Sequence, residues 1–284
     1  MERVAVIGAG TMGHGIAQVM AMAGLDVTMV DASADALDRG LAAIASNLEK
    51  GVKRGKVTEA TRDDALRNVS GTQELQVAVE DADLVVEAVP ERLELKQSLF
   101  QMAETYADDE AIFATNTSSI SIDRIAEGLS DPSRVIGMHF FNPVHIMALL
   151  EVVVGERTRD DVLDRVRTLG ERIGKEVIVV RDSPGFATSR LGVCLGMEAI
   201  RMVEDGVASA KDIDTAMVLG YRHPIGPLRL TDLVGLDVRM AIGEYLAKEL
   251  GNPAFEPPAL MREMVARGDV GKKSGKGFFD WSAS

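Results

Sequence analysis

Arg3-Val4-Ala5-Val6-Ile7-Gly8-Ala9-Gly10-Thr11-Met12-Gly13 opens the chain, and its reading decides the fold. Residues 3–7 read as a strand of a parallel sheet, because such strands are covered on both faces and run apolar throughout. Three glycines follow at once, and residues 12–23 then carry a helical pattern that stops at Gly24. Strand, glycine turn and helix in this order place backbone N–H groups and a helix N-terminus where an anionic phosphate is favoured.

A glycine pattern alone also fits an ordinary tight turn. The second strand, Val27–Asp31, adds the decisive carboxylate. Asp31 closes that strand 21 residues after Gly10, where an acidic side chain can accept from both hydroxyls of a ribose. It would repel a 2′-phosphate, and Ala32 and Ser33 offer no cation to offset it. Gly8, Gly10, Thr11, Met12, Gly13 and Asp31 together predict a dinucleotide site that takes NAD in preference to NADP.

Working outward, a helix spans about Ala34 to Lys50. Short apolar runs recur at residues 82–89, 111–115, 134–140, 149–154 and 176–180, separated mainly by helical stretches. Strands alternating with helices imply βαβ units, so the fold class is α/β with a mostly parallel sheet. After Arg181 the character changes. Asp182-Ser183-Pro184-Gly185 reads as a hinge and helix start, with Pro184 suited to a first turn. From Phe186 onward the pattern is helical, first over about Phe186 to Asp205, apolar over enough of its surface to be buried, against another subunit among other options. The expected organisation is an α/β domain over residues 1–182 and an all-helical domain over 183–284.

Composition narrows the function classes. The 284 residues carry 46% hydrophobic and 26% charged side chains, an ordinary balance for a soluble globular protein. A net charge of −13 argues against nucleic-acid binding, because a phosphate backbone would be repelled. It also requires that any anionic ligand meet local positive charge. One cysteine, Cys194, allows no intrachain disulfide, and with only four histidines no metal site is expected. Residues 1–7 run straight into a strand, leaving no room for a signal peptide, and no apolar run reaches membrane-spanning length. The expectation is a cytoplasmic protein.

The stretch Met138-His139-Phe140-Phe141-Asn142-Pro143 ends one apolar run, and Glu151 lies near the start of the next. Open α/β sheets place reactive groups beyond the carboxyl ends of their strands, which is where His139 falls. A turn at Asn142-Pro143 could return Glu151 to the side of His139. A carboxylate on one imidazole nitrogen fixes the tautomer and leaves the other nitrogen to exchange a proton with an alcohol undergoing oxidation. Spacing alone proves no contact, and a strand-end histidine with a solvated glutamate fits the same residues. Asn116-Thr117-Ser118-Ser119 follows another strand at the same edge. A hydroxyl there can bond a substrate oxygen as its charge changes, or cap the helix that starts near Ser121. Lys50, Lys53, Arg54 and Lys56 form a basic cluster that reads either as a solvated face or as a site for a phosphorylated carrier. The basic, glycine-rich tail from Gly271 to Phe279 reads as a packed or capping segment.

These residues together resemble the L-3-hydroxyacyl-CoA dehydrogenase family, especially its free-standing bacterial members that act on 3-hydroxybutyryl-CoA. The resemblance runs over essentially the whole chain. It rests on Gly8-x-Gly10-x-x-Gly13 with Asp31, Val86-Glu87-Ala88-Val89 with Glu91 and Lys96, and Asn116-Thr117-Ser118-Ser119. It continues through His139-Phe140-Phe141-Asn142-Pro143 with Glu151, Asp182-Ser183-Pro184-Gly185-Phe186, His223-Pro224-Ile225-Gly226-Pro227, and the tail. It implies a Rossmann-like domain followed by a helical domain that forms a homodimer, with an acyl-CoA as substrate. It implies that His139 is the general base, that Glu151 orients it, and that Ser118 bonds the C3 oxygen. Glu91, Lys96 and Asn116 are implied near the nicotinamide end of NAD, Asn142 among both the cofactor-binding and the substrate-binding residues, and Lys53 and Arg54 near the CoA phosphates. One position departs from the family pattern: Ser189 stands where an asparagine usually helps bind the substrate oxygen.

Two other functions fit the fold. A dehydrogenase of a free hydroxy or sugar acid would not need the basic cluster, and a non-catalytic NAD-binding structural protein would need none of Ser118, His139 and Glu151. Related enzymes that use a catalytic lysine on the interdomain helix fit less well, since residues 183–200 contain no lysine.

Overall fold

A computed structural model describes residues 1–282 and divides the chain into two compact units, Met1–Ser183 and Pro184–Ser284. In the first unit, β1 (Arg3–Ile7) leads to α1 (Thr11–Met22), β2 (Asp26–Val30), α2 (Ala34–Lys53), α3 (Glu59–Arg67) and β3 (Val69–Thr72). Then come α4 (Leu75–Val79), β4 (Leu84–Glu87), α5 (Leu93–Glu104), β5 (Ile112–Thr115), α6 (Ile122–Ile125), β6 (Val135–Phe140), β7 (Leu149–Val154), α7 (Asp160–Arg172) and β8 (Glu176–Arg181).

The eight strands form one sheet in the order β3-β2-β1-β4-β5-β6-β7-β8. All neighbours are parallel except β6 and β7, which run antiparallel. The order reverses between β1 and β4, which is the switch point where such sheets open a ligand crevice at their carboxyl edge. Strand β4 is fully buried, as Leu84, Val85, Val86 and Glu87 all are, and β5 and β6 are buried throughout. Helix α1 packs on this sheet through Ile16, Ala17, Val19 and Met20 in one continuous apolar core. The mostly parallel α/β architecture follows the sequence reading.

Strand β3 has no counterpart in that reading. Its residues, Val-Ser-Gly-Thr, are too short and too polar to signal a strand, and as an edge strand it is half exposed. The helix expected to end near Lys50 runs to Lys53, with Ser33 capping its start by accepting from the Ala36 amide.

The second unit holds α8 (Thr188–Glu204), α9 (Ala210–Gly220), α10 (Pro227–Val234), α11 (Leu236–Leu250) and α12 (Ala259–Ala266). Its own core includes Val193, Met197, Ile200, Leu228, Leu246 and Met261. The expected helix start is corrected here. Gly185 and Phe186 both adopt left-handed backbone, at φ 75° and 51°, so Pro184 lies in the turn ahead of the helix rather than in its first turn. The tail is packed, as read: the buried Asp232 carboxylate accepts from the amides of Phe278 and Phe279 and from Trp281 Nε1, each at 2.9 Å. Among the described residues no helix is long and apolar enough to cross a membrane.

Candidate active site

The glycine turn closes as a phosphate cradle must. A Cβ on Gly13 would lie 1.7 Å from the Gly8 carbonyl oxygen, so α1 meets the end of β1 only because position 13 lacks a side chain. A Cβ on Gly10 would meet nothing within 4 Å, which leaves open space directly over the backbone. Gly10 is the N-cap of α1 and supplies no side-chain bond, so the first-turn amides there are not capped from within the chain. Asp31 follows β2 directly and clamps the turn: its Oδ2 accepts from the Ala9 amide and its Oδ1 from the Ser33 amide, both at 2.9 Å. The donor set and the open backbone fit the pyrophosphate and ribose of a dinucleotide. Thr11 and Met12 contribute the first helical turn of this cradle.

His139 and Glu151 are direct partners in the antiparallel register of β6 and β7. Nδ1 lies 2.8 Å from Glu151 Oε2, with the two side chains 8% and 0% exposed. A carboxylate only accepts, so Nδ1 carries the proton and Nε2 is the basic nitrogen of the neutral ring. The Phe141 ring packs against the imidazole at a centroid distance of 4.5 Å. Asn142 is exposed and is joined to Pro143 by a cis peptide bond. Asn116 turns inward, its Oδ1 accepting from the Phe140 amide at 2.9 Å and so tying the end of β5 to the end of β6.

Ser118 sits in the loop after β5, and Glu91 organises that loop. Glu91 Oε1 accepts from Thr117 Oγ1 at 2.5 Å, the Ser118 amide at 3.0 Å, Ser119 Oγ at 3.2 Å and, more weakly, Ser118 Oγ at 3.4 Å. Burial pushes the Glu91 carboxyl up, but the Lys96 charge and the Thr117 and Ser118 hydrogen bonds outweigh it and hold the group below its ordinary range. Ser121 caps α6, its Oγ accepting from the Arg124 amide, while Ser119 donates to Glu91.

Lys96 lies beneath this loop network. Its side chain is 1% exposed and is committed to Glu87 at 2.8 and 2.9 Å and to Glu91 at 3.3 Å. Glu91 links it to the loop that carries Ser118. Glu87, wholly buried at the end of β4, also accepts from the Thr115 hydroxyl and the Val89 amide, both at 2.7 Å. Sequence reasoning quoted Glu87 without giving it a part in the site. Its signal was present: an acidic residue closing an otherwise apolar run at a strand's carboxyl end, with a lysine nine residues on.

The basic cluster divides. Lys53 is exposed and paired with Glu49 at 3.4 Å, whereas Lys50, Arg54 and Lys56 line a pocket of about 480 Å³. None of the ten residues around that pocket carries a carboxylate. Ser189 stands in the first turn of α8, in the second unit.

Two family models match the chain. The 3-hydroxyacyl-CoA dehydrogenase NAD binding domain covers residues 3–183, and the 3-hydroxyacyl-CoA dehydrogenase C-terminal domain covers residues 185–281. The 3-hydroxybutyryl-CoA dehydrogenase of Clostridioides difficile is 41% identical over 280 residues, covering 99% of each chain. The crystal structure of (S)-3-hydroxybutyryl-CoA dehydrogenase from Ralstonia eutropha superposes with a TM-score of 0.95 at 42% identity, covering 99% of both chains. That of Mycobacterium tuberculosis FadB2 gives 0.95 at 41% identity, again over 99% of both.

Proposed function

Since the chain belongs to the 3-hydroxyacyl-CoA dehydrogenase family, we propose that it interconverts short-chain (S)-3-hydroxyacyl-CoA and 3-oxoacyl-CoA, with His139 moving the proton. It is an NAD-dependent oxidoreductase acting on a 3-hydroxyacyl-CoA; the short acyl chain is read from the 3-hydroxybutyryl-CoA dehydrogenases it is similar to. The observation that carries the proton-transfer reading is the buried His139–Glu151 pair at the carboxyl edge of the sheet.

NAD, when bound, would supply the hydride acceptor; Gly8, Gly10, Thr11, Met12, Gly13 and Asp31 would hold its phosphates and ribose, with Asn142 a further cofactor-binding residue. In the oxidation direction His139 Nε2 takes the proton from the 3-hydroxyl, and the negative Glu151 stabilises the imidazolium that results. In reduction the same nitrogen returns the proton to the C3 oxygen. Ser118 donates its hydroxyl hydrogen to that oxygen, where charge develops. Glu91, Lys96 and Glu87 set the position of Ser118, and Asn116 fixes the strand end that carries His139. Ser189, shorter than the asparagine usual in the family, keeps one hydroxyl donor, suited to a water-mediated rather than a direct bond.

The pocket bounded by Lys50, Arg54 and Lys56 takes the CoA phosphates, with Lys53 at its margin. Two copies associate through the helical unit: α8 exposes Leu191 and Leu195 on one face, and α10 and α11, packed against α8, expose Leu233, Val234 and Val238. Exposed apolar side chains so grouped mark an association surface. The working location is the cytoplasm, where NAD and CoA thioesters are both at hand.

The test is NADH consumption at 340 nm with acetoacetyl-CoA, longer 3-oxoacyl-CoAs, a dicarboxylic 3-oxoacyl-CoA and free 3-oxo acids. Highest kcat/KM on acetoacetyl-CoA is expected. Turnover of the free acids at equal efficiency would transfer the reading to a hydroxy-acid dehydrogenase.

A further inference from the structure

One titratable side chain at this pocket, His145, belongs to no basic run of the sequence. Residues 143–147 form a tight turn after β6, closed by the Ile146 and Met147 amides donating to the Pro143 carbonyl at 2.9 and 3.0 Å. Lys175 clamps it from the α7–β8 connection, its Nζ donating to the carbonyls of Val144 and Met147 at 2.5 and 2.7 Å. Val144 is buried against α1 at Gly15, where an added Cβ would come within 2.9 Å of it. The turn is thus fixed on three sides, and its tip carries His145 and the exposed Ile146.

That tip lines the same pocket as Lys50, Arg54 and Lys56. Met22 and Ile146 give it apolar surface suited to a flat ring, and its absence of carboxylates stands out in a chain with 44 acidic and 31 basic residues. We propose that His145 is a specificity-determining contact for the phosphorylated nucleotide end of the acyl-CoA, making substrate affinity depend on pH. This rests on the acyl-CoA reading above and assigns a part to a residue which that reading does not use.

The charge environment supports the direction. Facing His145 are His14 from α1, Arg172 and Lys175 from the α7 end, Lys50 from the last turn of α2, and Arg54 and Lys56 from the segment joining α2 to α3. Partial burial, then the charges of His14 and Lys175, hold the imidazole below its ordinary range. The free enzyme therefore presents a neutral ring near neutral pH. A phosphate brought into the pocket favours the protonated ring, so the nucleotide end binds more tightly as pH falls. The carrier phosphate itself gains a proton near pH 6 and opposes this, equally in wild type and variant.

The experiment compares full-length wild type with His145→Gln, measuring KM for acetoacetyl-CoA, for acetoacetyl-pantetheine, which lacks the nucleotide, and for NADH. For acetoacetyl-CoA the variant-to-wild-type KM ratio should be near one at about pH 8 and rise to about three to five at about pH 6, the scale of one exposed charge pair. The pantetheine ratio should stay flat across that range. A CoA ratio that does not change with pH, or one that the pantetheine substrate matches, overturns the role of His145. A shift confined to the KM for NADH overturns it too, by giving the pocket to the dinucleotide. Failure of the wild type to reduce acetoacetyl-CoA at all brings down the acyl-CoA reading itself, a different result from a flat ratio in an active enzyme.

Discussion

Glu151 faces His139 across the antiparallel pairing of β6 and β7, with Oε2 2.8 Å from Nδ1 and both side chains withdrawn from solvent. The only antiparallel step in the sheet thus puts a carboxylate beside a strand-end imidazole, and the backbone register holds it there. Replacing His139 by Ala should lower kcat by about 10²- to 10⁴-fold, the usual contribution of a positioned proton-transfer group. Glu151→Ala should also lower kcat, because the ring loses both its orientation and its countercharge. Ser189→Ala should cost far less than His139→Ala, since water readily replaces a single hydroxyl donor. Initial rates at 340 nm, alongside NADH affinity by fluorescence, check all three; equal losses for Ser189→Ala and His139→Ala would assign Ser189 a direct part in the chemistry.

Asp31 has two duties, and the second changes what its replacement should do. Its carboxylate is proposed to accept from ribose hydroxyls, and it already accepts from the Ala9 and Ser33 amides and so holds the glycine turn. Asp31→Ala should raise the NADP-to-NAD ratio of kcat/KM by removing the charge that repels a 2′-phosphate. It should also weaken NAD itself, since two amides near the phosphate cradle lose their acceptor. Asp31→Asn keeps an acceptor and should lose less NAD affinity while still shifting the ratio. An unchanged cofactor ratio in both variants would remove Asp31 from the ribose site.

Much of this was legible in the chain. The apolar strand before Gly8, the glycine spacing and the position of Asp31 specify a parallel sheet with a nucleotide cradle, because backbone geometry demands those residues there. His139 and Glu151 were legible as a pair only on the assumption of a turn between them; the register turns that assumption into a contact. What could not be read was the buried polar network. Lys96 and Glu91 look like surface charges of an amphipathic helix and its entry loop, and only the wholly buried Glu87 makes them an ion-paired assembly beneath Ser118. Strand β3 was hidden for a different reason, since edge strands need neither length nor an apolar face.

The Glu87–Lys96 pair should be costly to break and cheap to replace. Lys96→Met leaves the Glu87 carboxylate buried without its countercharge, a loss of about 3–5 kcal/mol for pairs of this kind. It also frees Glu91 from one side, so Ser118 is less well held. The double variant Glu87→Gln/Lys96→Met removes both charges and should recover most of the stability but not the activity. Urea midpoints of the three proteins read the first effect and kcat the second. A single variant as stable as the double would mean that the pair is not insulated from water.

Asp182 carries the pH dependence that the fold itself should show. It follows β8 and reaches back to the start of α6, where its Oδ2 accepts from Ser121 Oγ at 2.7 Å and the Asp123 amide at 3.1 Å. Its Oδ1 is buried with no hydrogen-bond partner. Burial raises the carboxyl above its ordinary range, ahead of the Ser121 and Asp123 hydrogen bonds that lower it. In acid, below about 3.9, folded and unfolded chains both bind the proton and the protonated group's contribution to stability is fully present. As pH rises past that value the unfolded chain gives up its proton first, and the contribution is lost until the folded carboxyl has ionised too. Asp182→Asn does not titrate. The variant-minus-wild-type difference in Tm should therefore grow between about pH 4 and the raised folded value and then level off, whatever constant offset the amide introduces. A difference that stays constant over that range would mean that the buried oxygen meets solvent in the folded protein.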